Sequence, residues 1–150
     1  MTSKERVLER ERQRGRVAAQ EVQSRASEMT GTELNAVDDR IPRFAEAVKK
    51  MNMKDRLVGF VCKSTAGRVV KLIQPYDSNI YTAEPEELSA QWGFVWSTDP
   101  AKALPFIALS TSPYNEGECC TENGAVYRSN MSGNVWAPSA YPSGWNKVEV

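Results

Sequence analysis

GECCTENGAVYRSNMSGNVWAPSAYPSGW, residues 117–145, spaces its turn residues and aromatics as a small β unit does. Asn123-Gly124 sits between two short β-prone runs, and Asn-Gly takes the positive φ angles of a two-residue type I′ turn at little cost. The pattern predicts a hairpin in which Cys119 to Thr121 pair with Val126 to Arg128. Downstream, Val135-Trp136-Ala137-Pro138 and Tyr141-Pro142-Ser143-Gly144-Trp145 crowd three large rings between positions 136 and 145. Prolines stiffen that segment, so the tail reads as a small β unit with aromatics at its corners.

A fainter copy of this unit lies upstream. Gly59, Cys62, Gly67 and Val69 line up with Gly117, Cys120, Gly124 and Val126 if the first turn, Ser64 to Gly67, holds one extra residue. A basic residue follows each hairpin, Lys71 and Arg128, and Val95-Trp96 aligns with Val135-Trp136. The expectation is two related β units, the first with a long insertion between Lys71 and Val95. In it, Gly59–Cys62 and Arg68–Ile73 form a hairpin, Gln74–Gln91 a long loop with one helical turn at Pro85–Leu88, and Gly93–Ser97 and Leu104–Leu109 further strands. Ser110–Pro113 reads as the joint between the units.

Toward the N-terminus the period changes from that of strands to that of helices. Ser3 to Met29 is charged and free of proline, with Leu8, Val22 and Met29 at heptad spacing, Gly15 at the intervening position, and Ala18, Ala19 and Ala26 beside them. So narrow an apolar stripe is marginal alone in water, which predicts a coiled-coil-like helix that assembles the chain, as a trimer, or anchors it. A second helix, capped by Thr32 with Glu33 and Asn35 in its first turn, carries Leu34, Val37, Ile41, Phe44, Ala45 and Val48. Pro42 breaks or kinks it near Arg40-Ile41, or else Asp38-Asp39 caps a separate short helix; either way Phe44 and Val48 pack on the β region. The fold class expected is α+β, divided into a helical region 1–55, a first β unit 56–110 and a second β unit 111–150.

Composition narrows the chemistry. The 150 residues carry 19 basic and 19 acidic side chains, a balance that argues against a nucleic-acid partner, and no apolar run is long enough to cross a bilayer. The mixed charges of the N-terminal helix, with Arg6, Arg10, Arg12, Arg14 and Arg16 among Glu5, Glu9 and Glu11, read as a water-facing surface. The opening residues lack the apolar core of a secretory signal, so the expectation is a chain made and kept in a cytoplasm, or one that leaves it by a route other than a cleaved signal. There is no histidine, which removes Ser-His-Asp and Cys-His catalysis and the commonest zinc ligand. The acids Asp38, Asp39, Glu84, Glu86 and Glu87 are adjacent in sequence rather than opposed across a cleft. Cys62, Cys119 and Cys120 read as buried thiols, with a Cys62 to Cys120 bridge conceivable only if the two units bring those strands face to face. The expectation is a protein that is not an enzyme and uses neither cofactor nor metal.

What remains is the aromatic set, Tyr114, Tyr127, Trp136, Tyr141 and Trp145. Rings on a rigid β surface can stack on sugar faces, with polar side chains meeting the hydroxyls at their edges. Tyr127 and Trp145 read as core; Trp136 and Tyr141, beside prolines, read as exposed. The sequence Tyr114, Gly117-Glu118, Cys119-Cys120, Asn123-Gly124, Tyr127, Trp136-Ala137-Pro138 and Trp145 resembles the small chitin- and cellulose-binding modules of bacterial chitinases, which also occur in tail-associated proteins of phages and prophages. The resemblance implies a virion tail protein, made in a bacterial cytoplasm, that adheres to cell-surface polysaccharide and to other tail proteins, with candidate sugar contacts at Trp136, Tyr141, Tyr114 and Asn130. Asn130, Met131 and Ser132 stand where the sugar-binding members place two exposed aromatics. That departure implies either a site relocated to Trp136 and Tyr141 or a module kept for protein contacts.

Overall fold

The computed structural model describes residues 2–149. Helices α1 (Ser3–Arg25), α2 (Gly31–Ala36) and α3 (Phe44–Lys50) precede two sheets, giving the expected α+β class. The first sheet contains β1 (Val61–Lys63), β2 (Val69–Leu72) and β3 (Trp92–Phe94), in the order β1-β2-β3 and antiparallel throughout. The second contains β4 (Leu104–Pro105), β5 (Cys119–Glu122), β6 (Ala125–Ser129) and β7 (Trp145–Val148), ordered β4-β5-β6-β7. It is antiparallel except that β4 runs parallel to β5.

The hairpin around Asn123-Gly124 forms in the expected register, Cys119 opposite Arg128 and Thr121 opposite Val126, with φ of 50° and 79° at the two turn residues. The first sheet repeats the second down to individual bonds. Cys62 faces Val70 as Cys120 faces Tyr127, and Leu72 faces Trp92 as Ser129 faces Trp145. The N–H of Gly59 donates to the carbonyl of Leu72 at 2.8 Å, as that of Gly117 does to Ser129 at 2.8 Å. The N–H of Ile73 donates to Gln91 at 2.7 Å, and that of Asn130 to Gly144 at 3.0 Å. Gly59 and Gly117 turn the chain into the hairpin at φ of 94° and 93°, where a side chain would be strained.

Each unit also begins with a parallel segment, Arg43 bridging to Lys63 and Pro105 pairing with Thr121. The phenylalanine that follows meets the tryptophan of the third strand edge-on: Phe44 and Trp92 at 5.8 Å and 85°, Phe106 and Trp145 at 6.1 Å and 90°. The units therefore start near Pro42 and Leu104, and sheet membership does not follow the divisions expected at 55/56 and 110/111. A parallel partner needs no tight turn, so these segments leave no turn signal in the sequence. The expected pairing of Trp96 with Trp136 is also corrected: the structural counterpart of Trp145 is Trp92, and Trp96 lies beyond β3, buried.

One core serves both units. It joins Phe44, Met53, Cys62, Val70, Leu72 and Trp92 to Tyr114, Cys120 and Trp145. At the seam Phe94, Trp96, Tyr114 and Phe106 form a continuous stack, with successive centroids 5.8, 4.4 and 5.4 Å apart. The Trp96 indole N–H donates to the Ser112 carbonyl at 2.9 Å, which fixes the segment between β4 and β5 to that stack. Cys62, Cys119 and Cys120 are free and buried, and burial raises the thiol of Cys120 to about 12.

A second cluster attaches the helices. Val22 of α1 and Ala26, which caps that helix, pack with Leu34, Ile41, Val61 and Val69, with Met29 and Val37 at the margin of the cluster. The Gln23 amide closes the open edge of β1, donating to the Val61 carbonyl at 2.7 Å and accepting its N–H at 2.9 Å. Val22 and Met29 are thus engaged within the chain, and of the three apolar heptad residues only Leu8 lies on the part of α1, residues 3–17, that is exposed along its whole length. The cap of α2 is Thr30 rather than Thr32: Thr30 and Glu33 form a reciprocal capping box, while Thr32 accepts a bond from the Thr98 N–H at 2.9 Å. The chain breaks around Pro42 as expected, and Phe44 and Val48 meet the core.

Candidate functional site

The segment between β6 and β7, residues 130–144, carries the candidate residues and is fixed from beneath. Asn134 is buried, and its amide N–H groups donate to Ser129 Oγ and the Gly144 carbonyl, each at 3.1 Å, while its oxygen accepts the Trp136 N–H at 3.2 Å. The Trp145 indole N–H donates to the Trp136 carbonyl at 2.8 Å. Two core residues thereby hold the backbone on both sides of the Trp136 ring.

Trp136 is 48% exposed and Tyr141 42% exposed. Their rings meet at 5.6 Å and 62°, a corner rather than a flat platform. The Tyr141 N–H donates to the Ala137 carbonyl at 2.9 Å, closing the turn that brings the rings together. Tyr141 lies so close over Gly144 that a β-carbon there would come within 2.8 Å of the ring. Beside the corner, a shallow groove of about 400 Å³ runs between the hairpin tip and the Pro138–Pro142 turn, lined by Glu122, Asn123, Ser139, Tyr127, Trp145 and Lys147 among others. Glu122 accepts bonds from the Ser139 N–H at 2.9 Å and hydroxyl at 3.1 Å, tying the two walls together. The segment thus offers two exposed ring surfaces and, in the groove, carboxylate, amide, hydroxyl and ammonium groups, the chemistry that hydroxyl-rich ligands meet in binding sites.

The other two candidates lie elsewhere in function. Tyr114 is 1% exposed, stacked between Trp96 and Phe106, and presents no ring face to solvent. Its role is to position the loop, since its backbone exchanges bonds with Asn134 at 2.9 and 2.8 Å. The resemblance made Tyr114 a candidate sugar contact, but one of its faces is covered by Trp96 of the first unit and the other by Phe106, which follows β4. Asn130 is exposed, but its amide N–H groups are spent on the Ser143 carbonyl at 3.0 Å and Asn146 Oδ1 at 3.3 Å, so it braces the loop and keeps only its oxygen for a ligand. Trp145 is core as expected, and Tyr127 is half-buried at the groove.

Sequence reasoning missed Glu122, Ser139 and Lys147, which the hairpin register brings to the groove. It also missed Tyr81, 58% exposed in the corresponding loop of the first unit. The signal available was an aromatic followed by a proline, Tyr81 to Pro85, before the tryptophan of the third strand. Among the described residues no group of three histidine, cysteine, aspartate or glutamate side chains is placed to hold a metal ion, and no helix is long and apolar enough to cross a membrane. Burial raises the carboxyl of Glu118, although its oxygen accepts the Asn115 N–H at 2.6 Å; this group shapes the turn before β5, away from the rings. Compared with protein-family models, curated proteins and solved structures, the chain matches none.

Proposed function

We propose that this chain is a non-enzymatic adhesion protein of a phage or prophage tail, which holds cell-surface polysaccharide at the corner formed by Trp136 and Tyr141 while its N-terminal helix assembles or anchors it in the virion. The observation that carries this reading is the pairing of two exposed rings with a backbone pinned by buried Asn134 and Trp145. Rigid presentation lowers the ordering cost of binding, and a corner of two rings can meet a sugar on two sides. Groove residues Glu122, Ser139 and Lys147 supply polar contacts for hydroxyl or amide substituents.

Replacing Trp136 or Tyr141 with alanine should abolish retention on insoluble chitin or purified bacterial cell wall. Each change should lower stability by no more than about 1 kcal/mol, since half of each ring is already in water. Pull-downs and thermal melts on the same proteins test both halves of the statement. Retention by the alanine variants equal to that of the parent, or no retention by the parent, would reject the adhesion reading at these residues.

A second reading, a structural tail protein whose β units meet other subunits, is favoured by a different surface. Leu57 and Val58 are 84% and 67% exposed on the turn before β1, beside exposed Met51. Such a patch suits a protein partner better than a sugar.

A further inference from the structure

We propose that the first β unit carries a second polysaccharide contact, built on Tyr81 with Ile80, so that one chain grips a repeating glycan at two places. The inference rests on the reading of Trp136 and Tyr141 as a glycan site and extends it to a residue outside that site.

Pro85 stands seven residues before Trp92, and Pro138 seven before Trp145; both prolines are buried, and the two tryptophans occupy the same register position. Shortly before each proline the chain presents an aromatic ring to solvent, Tyr81 in one unit and Trp136 in the other. In each unit the tryptophan indole N–H reaches back to the loop that carries the ring, Trp92 to the Tyr76 hydroxyl at 3.0 Å and Trp145 to the Trp136 carbonyl at 2.8 Å. A single exposed aromatic needs no explanation. Two in the same loop of a repeated framework, Tyr81 four residues and Trp136 two residues ahead of the equivalent buried proline, point to a shared use.

The first loop is also held rigidly. The Asp77 carbonyl accepts the N–H groups of Ile80 and Tyr81 at 3.2 and 3.0 Å. Asp77 Oδ1 accepts the Asn52 amide at 2.9 Å and the Asn79 N–H at 3.0 Å, and these bonds hold its carboxyl below the usual range. Asn52 in turn accepts the Ser78 N–H at 3.1 Å, and Ser78 Oγ accepts the N–H of fully buried Met53 at 3.1 Å. The tip therefore presents one ring and one branched aliphatic side chain on a backbone fixed to the core. That is enough apolar surface for one face of a pyranose, and less than the second unit offers, so the Tyr81 contact is the weaker. Two weak contacts joined through one rigid core act together on a polymer and separately on a short oligosaccharide.

The test uses the full chain with Tyr81→Ala, Tyr81→Trp, Trp136→Ala and the double variant Tyr81→Ala/Trp136→Ala, with insoluble chitin, purified bacterial cell wall and soluble chitotetraose as probes. Tyr81→Ala should weaken retention on the polymer that holds the parent by at least about tenfold, change chitotetraose affinity less, and leave the melt unaltered. Tyr81→Trp should be retained like the parent. If Tyr81→Ala is retained like the parent while Trp136→Ala is lost, the second contact is rejected and the proposed site at Trp136 stands. If Tyr81→Ala is lost and Trp136→Ala retained, the contact at Tyr81 stands and the proposed site falls. A parent chain held by neither polymer rejects both.

Discussion

The two β units solve one problem, tying a long loop to its hairpin, with the chemistry reversed. In the first, carboxylates come from the loop: Glu84 accepts the Thr65 N–H at 2.8 Å, and Glu86 accepts from the Ser64 hydroxyl at 2.7 Å and from Arg68 at 3.0 Å. In the second, the carboxylate comes from the hairpin, Glu122, and the loop supplies the donors on Ser139. The first tie is largely buried and reaches across to the other unit, since Arg68 also donates to the Pro105 carbonyl at 2.7 Å; the second faces solvent on the Ser139 side. What recurs is the backbone framework and the edge-on pair of phenylalanine and tryptophan. The side chains above it have diverged, one unit toward the shared seam and the other toward the surface.

The largest effect expected tests whether the units share one core. Trp92→Ala and Trp145→Ala should each cost about 3–5 kcal/mol, the loss typical of a buried tryptophan. Both variants should still unfold in one transition, followed by far-UV circular dichroism in urea. A Trp145→Ala protein that loses only part of its signal, with the remainder melting as in the parent, would show the units to be independent and break the comparison.

A smaller effect separates the two ties. Glu86→Gln leaves the Arg68 charge nearly buried without its partner, so a loss of about 3 kcal/mol is expected, whereas Glu122→Gln should cost about 0.5 kcal/mol because its partner is exposed. Replacing both members of the buried pair, Arg68→Met with Glu86→Leu, should recover much of the loss, because apolar side chains of similar size need no compensating charge. Equal losses for Glu86→Gln and Glu122→Gln in urea unfolding would mean that burial does not distinguish the ties.

What the sequence showed follows the range of the interactions involved. The Asn123-Gly124 hairpin was readable because its register is set by the turn itself, and the matching of Gly59 with Gly117 because a positive φ leaves a glycine signature. The equivalence of Trp92 and Trp145 was missed because the loops before them differ in length by four residues, which drew the match to Val95-Trp96 and Val135-Trp136. Tyr114 stood among the sugar-contact candidates for a longer-range reason, since Trp96, which covers one of its faces, belongs to the first unit and reaches it only once the two sheets have packed. At the candidate site, proline neighbours correctly marked Trp136 and Tyr141 as exposed. The groove beside them was not legible, because Lys147 joins Tyr127 only through the pairing of β6 with β7. The stripe Leu8, Val22 and Met29 was legible as a stripe, but periodicity does not say which partner covers it, and for Val22 and Met29 the partner is the chain itself.

The smallest stability effect bears on the surface where the units differ most. Leu57-Val58 and Asn115-Glu116 occupy the same turn, each closed by the N–H two residues after Val58 or Glu116: Phe60 to Leu57 at 3.1 Å, Glu118 to Asn115 at 3.0 Å. The glycine between sets the geometry in both, so the fold does not require an apolar pair at Leu57 and Val58. Exchanging it, Leu57→Asn with Val58→Glu, should change stability by no more than about 0.5 kcal/mol, as expected for exposed positions whose backbone is unaltered. Because the exchange removes two strongly exposed, adjacent apolar side chains of the first unit, it should also reduce any self-association seen by sedimentation of the full chain, while Leu8→Glu on the free part of α1 tests the helix separately. Association lost only in the Leu8→Glu protein would assign assembly to α1 and leave the patch to another protein; association lost only in the exchanged protein would make the turn the contact between copies. A destabilisation of several kcal/mol on exchange would mean that the two turns are not equivalent, and the correspondence between the units would have to be redrawn from this end.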